Sequence, residues 1–434
     1  MTELIGRNFG SSDGTLLVGG MSVTELAARH GTPFFAYDAA LLDRQWSRLR
    51  ETYPERFDLY YSIKANPCQA ILRRFVAHGA GLEIASSGEL AQALAAGCPA
   101  DRILFAGPGK TEAELRAALD AGIGEIHVES LTEGRRIAAL AGSRGKRASV
   151  ALRVNPSAAV AGGGMRMGGK PVAFGIDEDQ LDEVIDHLLR EPALEIVGLH
   201  LFMGTQILDH EVLLLQYRAG LDIACRLVHK LGKNLTTIDF GGGLGIPYFP
   251  HEQPLDLAQL APGLMELVRE AELMPELTGT RFIVEPGRFL AAESGVYVAG
   301  VTDVKTSRGK TFVITDGGMH HHLAASGNLG QTIKRNFPVA LVNGLNREAA
   351  AQVEVVGPLC TPLDVLGRDV SLPEVAVGDL IGVFQSGAYA RAASPLGFLS
   401  RQAPPEILVD SGRDHLVRRR GADEDYLFDQ LDPK

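Results

Sequence analysis

Eight short apolar segments alternate with helical patterns over roughly residues 35–290, and this alternation constrains the fold more than any other feature. The segments between them, such as GELAQALAAG and EAELRAALDAG, repeat apolar residues every three or four positions and end in glycine, as helices do. The predicted strands cover residues 59–65, 81–86, 102–107, 125–130, 149–156, 196–204, 236–243 and 281–287. Eight strands alternating with helices predict an α/β fold with a closed (β/α)8 barrel, and this number disfavours the alternative, a doubly wound open sheet.

The pattern changes after about residue 290, where strand-like segments follow one another with turns and little helix between them. Examples are GVYVAGVTDVKTS, KTFVITDGG, AAQVEVVGPLC, DLIGVFQSG and PPEILVD. They predict a separate C-terminal β domain over residues 291–434, after a barrel over residues 36–290. GTLLVGG, within residues 1–35, is also strand-like, so we expect the N-terminal segment to join the β domain.

Composition and charge narrow the class of protein. The chain has no run of about 18 apolar residues, which a membrane span would need, and its first residues lack the pattern of a signal peptide. The formal net charge of −11 argues against nucleic-acid binding. The four cysteines are far apart and form no C-x-x-C pair, which favours reduced thiols. We therefore expect a cytoplasmic globular protein without nucleic-acid or membrane partners.

The segment YYSIKANP places Lys64 at the end of the first predicted strand. In a barrel, the carboxyl ends of the strands surround the active site. Partial desolvation lowers the pKa of a lysine and makes its amine available for a Schiff base. The alternative is a structural lysine in an ion pair with Glu83.

Glycines follow the seventh predicted strand, in DFGGGLG, and an acid and an arginine follow the eighth, in EPGR. The amides of Gly241–Gly243 can approach an anion closely, and barrels often bind phosphate between the loops after these two strands. Arg288 suits the same phosphate, which leaves Glu285 as a carboxylate in the barrel mouth. A lysine, a phosphate cradle and a buried acid together predict a site for pyridoxal 5'-phosphate, whose pyridine nitrogen needs such a partner.

The chain also resembles a known family, the fold type III pyridoxal phosphate decarboxylases, which include diaminopimelate and ornithine decarboxylases. The resemblance covers nearly the whole chain, and its motifs occur in the family's order: YSIKANP, EIASSGEL, FAGPGK, RVNP, DFGGGLGIPY, EPGRF, DGGM, GPLCTPLDVL and SGAYA. It implies an alanine-racemase-like barrel in which Lys64 binds the cofactor and Glu285 faces its pyridine nitrogen. It also implies that Cys360 returns a proton to the substrate Cα, and that this cysteine comes from the neighbouring subunit of a homodimer with shared active sites.

The resemblance assigns further residues to the site. The cofactor-binding set comprises Lys64, Glu83, Arg153, His200, Phe202, Gly242, Gly243, Glu285, Gly287, Arg288 and Tyr389, with Glu89 in support. The substrate-binding set comprises His320, Thr361, Asp364 and Tyr389.

Three departures from the family pattern concern specificity. Phe202 stands where a histidine usually stacks on the cofactor ring. No arginine follows DGGM until Arg335, although diaminopimelate decarboxylases have one there to bind a substrate carboxylate. Thr361 replaces the acid that pairs with a distal ammonium, although Asp364 remains. Free lysine, ornithine and diaminopimelate are therefore disfavoured, because a buried ammonium without a partner costs free energy.

The chain is most similar to a branch that includes the carrier-protein-linked glutamate decarboxylase of butirosin biosynthesis and decarboxylases of exopolysaccharide and exosortase loci. We therefore predict decarboxylation of an α-amino acid whose side chain is acylated or tethered to an acyl-carrier protein. A decarboxylase of free diaminopimelate, ornithine or lysine is the first alternative. An amino-acid racemase is disfavoured by Glu285, and a small non-catalytic cofactor carrier is disfavoured by the chain length and by GPLCTPLD.

Three other features of the sequence bear on function. The glycine-rich segment 158–171 predicts a mobile lid. Arg166, Lys170, Lys334 and Arg335 are interpreted as solvated, with an acidic carrier protein as the alternative partner. The run His320–His322 favours the polar mouth of the site or an interface over a metal, because adjacent strand residues point to opposite faces. No metal is therefore predicted.

Overall fold

The computed structural model describes residues 2–157, 165–166, 171–202, 204–331 and 334–432. It contains two compact units. The barrel unit comprises Trp46–Pro247 and Gln253–Phe289, and the β unit comprises Met1–Gln45, Tyr248–Glu252 and Leu290–Lys434. The predicted lid falls mostly outside the described residues, as do Lys170 and the side chain of Arg166.

The barrel unit is a closed sheet of eight parallel strands, which confirms the predicted fold class. The strands are Phe57–Ser62, Gly81–Ile84, Ile103–Phe105, Glu125–Val128, Ala148–Asn155, Leu194–Leu201, Thr237–Asp239 and Arg281–Val284. Each strand pairs with its neighbours in chain order, the eighth pairs with the first, and Glu125–Val128 pairs with Ala148–Asn155 to complete the closure. All eight carboxyl ends therefore meet at one rim.

Helices follow the strands because their sequences carry an apolar face and good end signals. They are Gln69–Ala77, Ser87–Ala95, Glu112–Ala121, Leu131–Gly142, Leu181–Leu188, His210–Leu231 and Leu257–Glu272, with Ala39–Thr52 before the first strand and Arg288–Ala291 after the last. The helix Glu112–Ala121 shows the pattern: Thr111 and Glu114 form a capping box, and Gly122 ends the helix in the left-handed conformation. Its buried leucines, Leu115 and Leu119, face the sheet side of the helix.

The strands end earlier than the apolar pattern predicts. The first strand ends at Ser62, and Lys64 lies in the short 3-10 turn Ile63–Ala65 that follows it. The seventh strand ends at Asp239, before the glycines. Periodicity cannot distinguish a strand from an apolar turn after it, because both bury their side chains. The residues beyond the last strand pairs are those that form the rim.

The β unit contains a mostly antiparallel sheet. Its strands are Phe34–Asp38, Gly295–Ser307, Lys310–Thr315, Val339–Leu341, Ala351–Val356, Val365–Leu372, Leu380–Phe384, Glu406–Asp410 and Arg413–Arg418. The N-terminal segment does join this unit, but the strand that enters the large sheet is Phe34–Asp38, between Gly295–Ser307 and Glu406–Asp410.

The predicted strand in GTLLVGG forms as Thr15–Val18, within a small sheet with Gly10–Ser12 and Met21–Ser22. The helices Thr2–Asn8 and Val23–His30 flank this small sheet in the chain. Leu16 and Val18 are buried in the core of the β unit, together with Val296 and Val298 of the large sheet. Burial of these apolar side chains therefore holds the N-terminal segment in the unit.

None of the helices in the described part of the chain combines the length and the apolar character that crossing a bilayer requires.

Candidate active site

Lys64 and Glu83 form an ion pair at the barrel rim. The Lys64 Nζ atom donates to both Glu83 carboxylate oxygens, at 3.0 and 2.9 Å, and the Ser62 hydroxyl donates to the same carboxylate. The Glu83 side chain is 1% exposed, whereas that of Lys64 is 45% exposed. The ion pair named as the structural alternative is therefore present, and it leaves the amine accessible to a reactant in the barrel mouth.

The backbone turn that follows the second barrel strand, Gly81–Ile84, is stabilised by Glu89. Glu89 lies in the first turn of the helix Ser87–Ala95, where its amide donates a hydrogen bond to the hydroxyl of the capping residue Ser86 at 3.2 Å. Its carboxylate accepts the Ala85 amide at 2.6 Å. Burial raises the pKa of Glu89 above its usual value. Glu89 thus holds the backbone that follows Glu83, and its supporting role at the cofactor stays a prediction.

The glycine run after the seventh strand forms a close backbone turn. Gly243 has a φ of +101°, which only glycine adopts readily, and a Cβ atom there would lie 2.9 Å from the Gly204 carbonyl oxygen. A Cβ atom on Gly242 would lie 2.7 Å from the Glu285 carbonyl oxygen. Within the described residues, the amides of Gly242 and Gly243 donate to no protein acceptor. These two N–H groups are available to an anion such as a phosphate.

The side chain of Arg153, in the fifth barrel strand, lies near an aromatic ring that follows the sixth strand. Its guanidinium lies 4.9 Å from the centre of the Phe174 ring and 6.0 Å from that of Phe202, within the range of cation–π attraction. Arg153 Nη1 also donates to Glu129 Oε1 at 2.6 Å. The Phe202 ring, which replaces the family's histidine after the sixth strand, therefore lies near a cation of the fifth strand.

A group of buried polar side chains fills the barrel beneath this rim. We call it the barrel-core cluster, and it consists of Glu125, His127, His200, Asp239 and Glu285. His200 Nε2 lies 3.8 Å from Glu285 Oε2, and His127 Nε2 lies 3.9 Å from both Glu125 Oε2 and Asp239 Oδ2. The two imidazole rings are 4.2 Å apart. Every member is at most 6% exposed.

Three members of this cluster, Glu125, His127 and Asp239, were missed by the sequence interpretation. The signal was present, since Glu125 and His127 are two residues apart in one strand, as are Thr237 and Asp239 in another. Alternate residues of a strand share a face, and in a barrel that face is the interior. Each of these two strands is otherwise apolar and carries two polar residues that are two positions apart. This pattern therefore indicates a polar barrel core.

Burial determines the charges of the barrel-core cluster. Burial raises the pKa of Glu125 to about 7, and it raises the pKa of Asp239 to about 7 as well. Burial, then repulsion from Asp239, raises the pKa of Glu285 well above its usual value. Burial lowers the pKa of His127 and of His200 well below the usual value. Near neutral pH the histidines are therefore neutral, and the carboxyl groups give up their protons at a higher pH than exposed carboxyl groups do.

Glu125 should make the stability of the cofactor-depleted protein depend on pH. Its pKa rises from 4.5 to about 7 on folding, so the folded protein binds the extra proton between these values. Its free energy of unfolding should then fall as the pH rises through this window, by up to about 1.4 kcal/mol per pH unit. Glu125→Gln keeps a partner for the Thr237 hydroxyl and removes the titration.

The measurement is the unfolding midpoint in denaturant between about pH 5 and about pH 8, because the unfolded protein has largely lost this proton there and the folded protein holds it up to about pH 7. The wild type should lose more stability than Glu125→Gln as the pH rises. The matched control is Glu195→Gln, which changes an exposed glutamate and should follow the wild type. Parallel curves for wild type and Glu125→Gln would contradict the assignment.

Cys360, in the β unit, lies on an exposed turn that Asp364 holds in place. Asp364 Oδ2 accepts the Leu359 amide at 2.8 Å and Oδ1 accepts the Met319 amide at 2.6 Å. Its side chain is buried, and burial raises its pKa. Thr361 is half-buried and its amide donates to the Leu359 carbonyl at 2.8 Å. Because backbone amides occupy both Asp364 oxygens, the substrate contact predicted for Asp364 stays a prediction.

The histidine run adopts a turn rather than the strand that its interpretation assumed. All three side chains are buried. His321 Nδ1 pairs with the Tyr297 hydroxyl at 2.9 Å, and His322 Nε2 pairs with the Ser386 hydroxyl at 3.0 Å. His320 is the one of the three whose ring nitrogens have no hydrogen-bond partner among the described residues. Two of these histidines are thus packing residues of the β unit, and the substrate role of His320 stays a prediction.

The barrel residues fit pyridoxal phosphate. Lys64 offers an accessible amine, Gly242 and Gly243 offer two amides, and Arg288 begins the short helix after the eighth strand. Glu285 Oε1 is buried and has no donor among the described residues, as the partner of a protonated pyridine nitrogen would be. Gly287 lies against Ser62 and Ala65, which brings EPGR next to the lysine turn. When bound, the cofactor supplies an electron sink for a substrate carbanion.

This fold and these residues define a pyridoxal-phosphate-dependent barrel enzyme. The family model described as "Pyridoxal-dependent decarboxylase, pyridoxal binding domain" matches residues 39–292. The chain therefore belongs to the pyridoxal-dependent decarboxylases. It is an amino-acid decarboxylase, a carboxy-lyase whose cofactor is pyridoxal 5'-phosphate.

Individual relatives match over almost their whole length. The chain is 38% identical to the L-glutamyl-[BtrI acyl-carrier protein] decarboxylase of Niallia circulans, over 94% of this chain and 96% of the relative. It is 33% identical to the diaminopimelate decarboxylase of Methanothermobacter thermautotrophicus, over 97% and 96%. Among solved structures, the diaminopimelate decarboxylase of M. jannaschii in complex with L-lysine has a TM-score of 0.89 at 26% identity, over 98% of both chains.

Proposed function

We propose that the protein decarboxylates a glutamyl group whose side-chain carboxyl is carried as a thioester by an acyl-carrier protein. The bond between Cα and the α-carboxylate breaks, carbon dioxide leaves, and a proton takes its place on Cα. The observation that carries this proposal is the Cys360 turn. Within residues 358–364 the one carboxylate is that of Asp364, and two backbone amides already occupy it.

A free diamino acid would need an acid on this turn. Thr361 offers a hydroxyl, which cannot neutralise a distal ammonium, and leaving that charge without a partner at a partly buried site is unfavourable. A side chain that is acylated has no such charge. The 38% identity to a decarboxylase that acts on a carrier-linked glutamyl group supports the same substrate class.

The proposed roles of the residues follow from their chemistry. Lys64 binds the cofactor through its accessible amine, and Gly242, Gly243 and Arg288 bind the phosphate. The phosphate contact of Tyr389, in the β unit, stays a prediction from the family resemblance. Glu285 carries the negative charge that the pyridine nitrogen faces, with His200 and Phe202 near the ring.

Cys360 returns the proton to Cα. Its thiol lies on an exposed turn, so it is available to a second subunit. We propose a homodimer in which each active site takes Lys64 from one chain and Cys360 from the other. An acyl-carrier protein is the proposed partner, and it would deliver the substrate on a flexible arm.

The substrate is tested by comparing glutamyl-carrier protein with free glutamate, diaminopimelate, ornithine and lysine at matched concentrations. The proposal expects the carrier-linked substrate to lose one carbon dioxide by intact-protein mass, with kcat/KM at least about a hundredfold above that for any free amino acid. Lys64→Ala, purified in the same way, controls for contaminating decarboxylases. Efficient turnover of free diaminopimelate by the wild type would replace the carrier-linked assignment with the first alternative, while the decarboxylase activity would stand.

A further inference from the structure

Asp239 and Glu285 meet inside the barrel-core cluster. A carboxyl oxygen of Asp239 lies within 4.8 Å of a carboxyl oxygen of Glu285, and neither Asp239 Oδ2 nor Glu285 Oε1 has a donor among the described residues. Asp239 Oδ1 is already used, because it accepts the Gly241 amide at 2.8 Å. An ionised carboxylate has no donor, so two buried carboxyl groups this close can satisfy each other only if one of them keeps a proton.

We propose that Asp239 is a positioning residue of this decarboxylase, whose carboxyl group shares one proton with Glu285 so that the pair carries a single negative charge. Asp239 would thereby set the charge and the orientation of Glu285 at the place where the pyridine nitrogen binds. The role proposed for Asp239 in cofactor binding rests on the role proposed for Glu285. The shared proton does not rest on that role, because it is argued from the proximity and burial of the two carboxyl groups.

The groups around the pair favour one retained proton. The cations whose charge reaches the cluster are Lys64, Lys110 and Arg153, and each has a glutamate partner outside it, namely Glu83, Glu133 and Glu129. The remaining neighbours are Glu125, which accepts the Thr237 hydroxyl at 2.7 Å, and the neutral rings of His127 and His200.

Two adjacent buried carboxylates repel each other, and such pairs ionise in separate steps with one pKa strongly raised. The raised pKa of Glu285 agrees with this behaviour. A single charge is also what the cofactor needs, because one protonated pyridine nitrogen is matched by one carboxylate. The pair therefore supplies that charge without a second, unbalanced one.

A divalent metal is the competing occupant of this cluster. His127, His200, Asp239 and Glu285 offer ligand atoms that lie within 4.8 Å of one another. A metal ion would coordinate the buried polar atoms that have no hydrogen-bond partner among the described residues. However, it would also bind Glu285, which would then not be available to the pyridine nitrogen. The shared proton satisfies the two carboxyl groups and keeps Glu285 for the cofactor, so we favour it.

Infrared spectroscopy of the full-length, cofactor-depleted protein tests the proton directly. The carbonyl stretch of a protonated carboxyl group should be present near pH 8, measured in a Glu125→Gln background so that Glu125 does not contribute. Asp239→Asn should abolish this band, because the asparagine amide donates to Glu285 and leaves it ionised. Asp58→Asn, which removes an aspartate paired with Arg281, is the matched control and should keep the band.

Equilibrium binding of pyridoxal phosphate to the same full-length variants tests the positioning role. Asp239→Asn preserves both the single charge and the hydrogen bond, so affinity should stay within about tenfold of the wild type. Asp239→Ala removes the hydrogen bond, and Glu285 alone in the core should take up the proton, so affinity should fall by about a hundredfold or more. Circular dichroism of each variant checks that it is folded.

Three kinds of result would overturn the proposal. Absence of the carboxyl band in the wild type, or its persistence in Asp239→Asn, would show that the pair does not share a proton. Equal loss of cofactor affinity in Asp239→Asn and Asp239→Ala would reduce Asp239 to a packing residue. One equivalent of bound metal in the purified wild type, lost in His127→Ala, would assign the cluster to the metal instead. If the band behaves as expected but Glu285→Gln binds the cofactor normally, the shared proton stands and the proposed role of Glu285 fails.

Discussion

Replacing Lys64 with alanine should abolish decarboxylation, with a fall in kcat of at least about a thousandfold. The amine that binds the cofactor would be gone, while the fold around it should persist, because the Lys64 side chain is 45% exposed. Lys64→Arg is the matched variant. It retains a cation for Glu83 but has no primary amine, so it should be as inactive as Lys64→Ala and nearer to the wild type in stability.

Borohydride treatment of the wild type locates the amine independently of turnover. It should fix one cofactor mass on the peptide that contains Lys64. Lys110 should remain unlabelled, because its Nζ is buried and donates to the Gly107 and His127 carbonyls and to Glu133. A label on Lys110, or full activity in Lys64→Arg, would contradict the assignment of Lys64.

Replacing Cys360 with alanine should lower kcat by about a hundredfold to a thousandfold while leaving cofactor affinity unchanged. The thiol is the proposed proton donor, and the barrel residues proposed to bind the cofactor are untouched. Cys225→Ala, in the helix His210–Leu231, is the matched control and should retain full activity.

Mixing Cys360→Ala with Lys64→Ala tests the shared site. Random exchange of subunits makes half of the dimers hybrid, and each hybrid has one intact site, so about a quarter of the wild-type activity should return. Subunit exchange is verified by native mass spectrometry of differently tagged chains. No recovery after verified exchange would show that Lys64 and Cys360 serve the same site from one chain, or that they do not serve one site at all.

The chain's periodicity was sufficient to predict the barrel because strand and helix patterns alternate without interruption. Closure follows from the number of strands, and the position of Lys64, Gly242, Gly243 and Glu285 at one rim follows from the parallel strand direction. The order of motifs was sufficient to predict the family, and the family match over residues 39–292 confirms it. Local pattern did not predict where each strand ends, since that depends on which backbone groups find a partner across the sheet.

The sequence by itself thus determined the strand order, the family, the cofactor and the residues at the barrel rim. The tertiary structure decided how buried groups are paired. The sequence suggests that Asp364 is available to a substrate, but its carboxylate accepts hydrogen bonds from two backbone amides of separate segments. The three histidines of the run His320–His322 are buried in the β unit. Asp239 and Glu285 are 46 residues apart, at the ends of neighbouring strands. Whether such carboxyl groups share a proton depends on their separation and on the loss of water around them, and both arise only when the barrel closes.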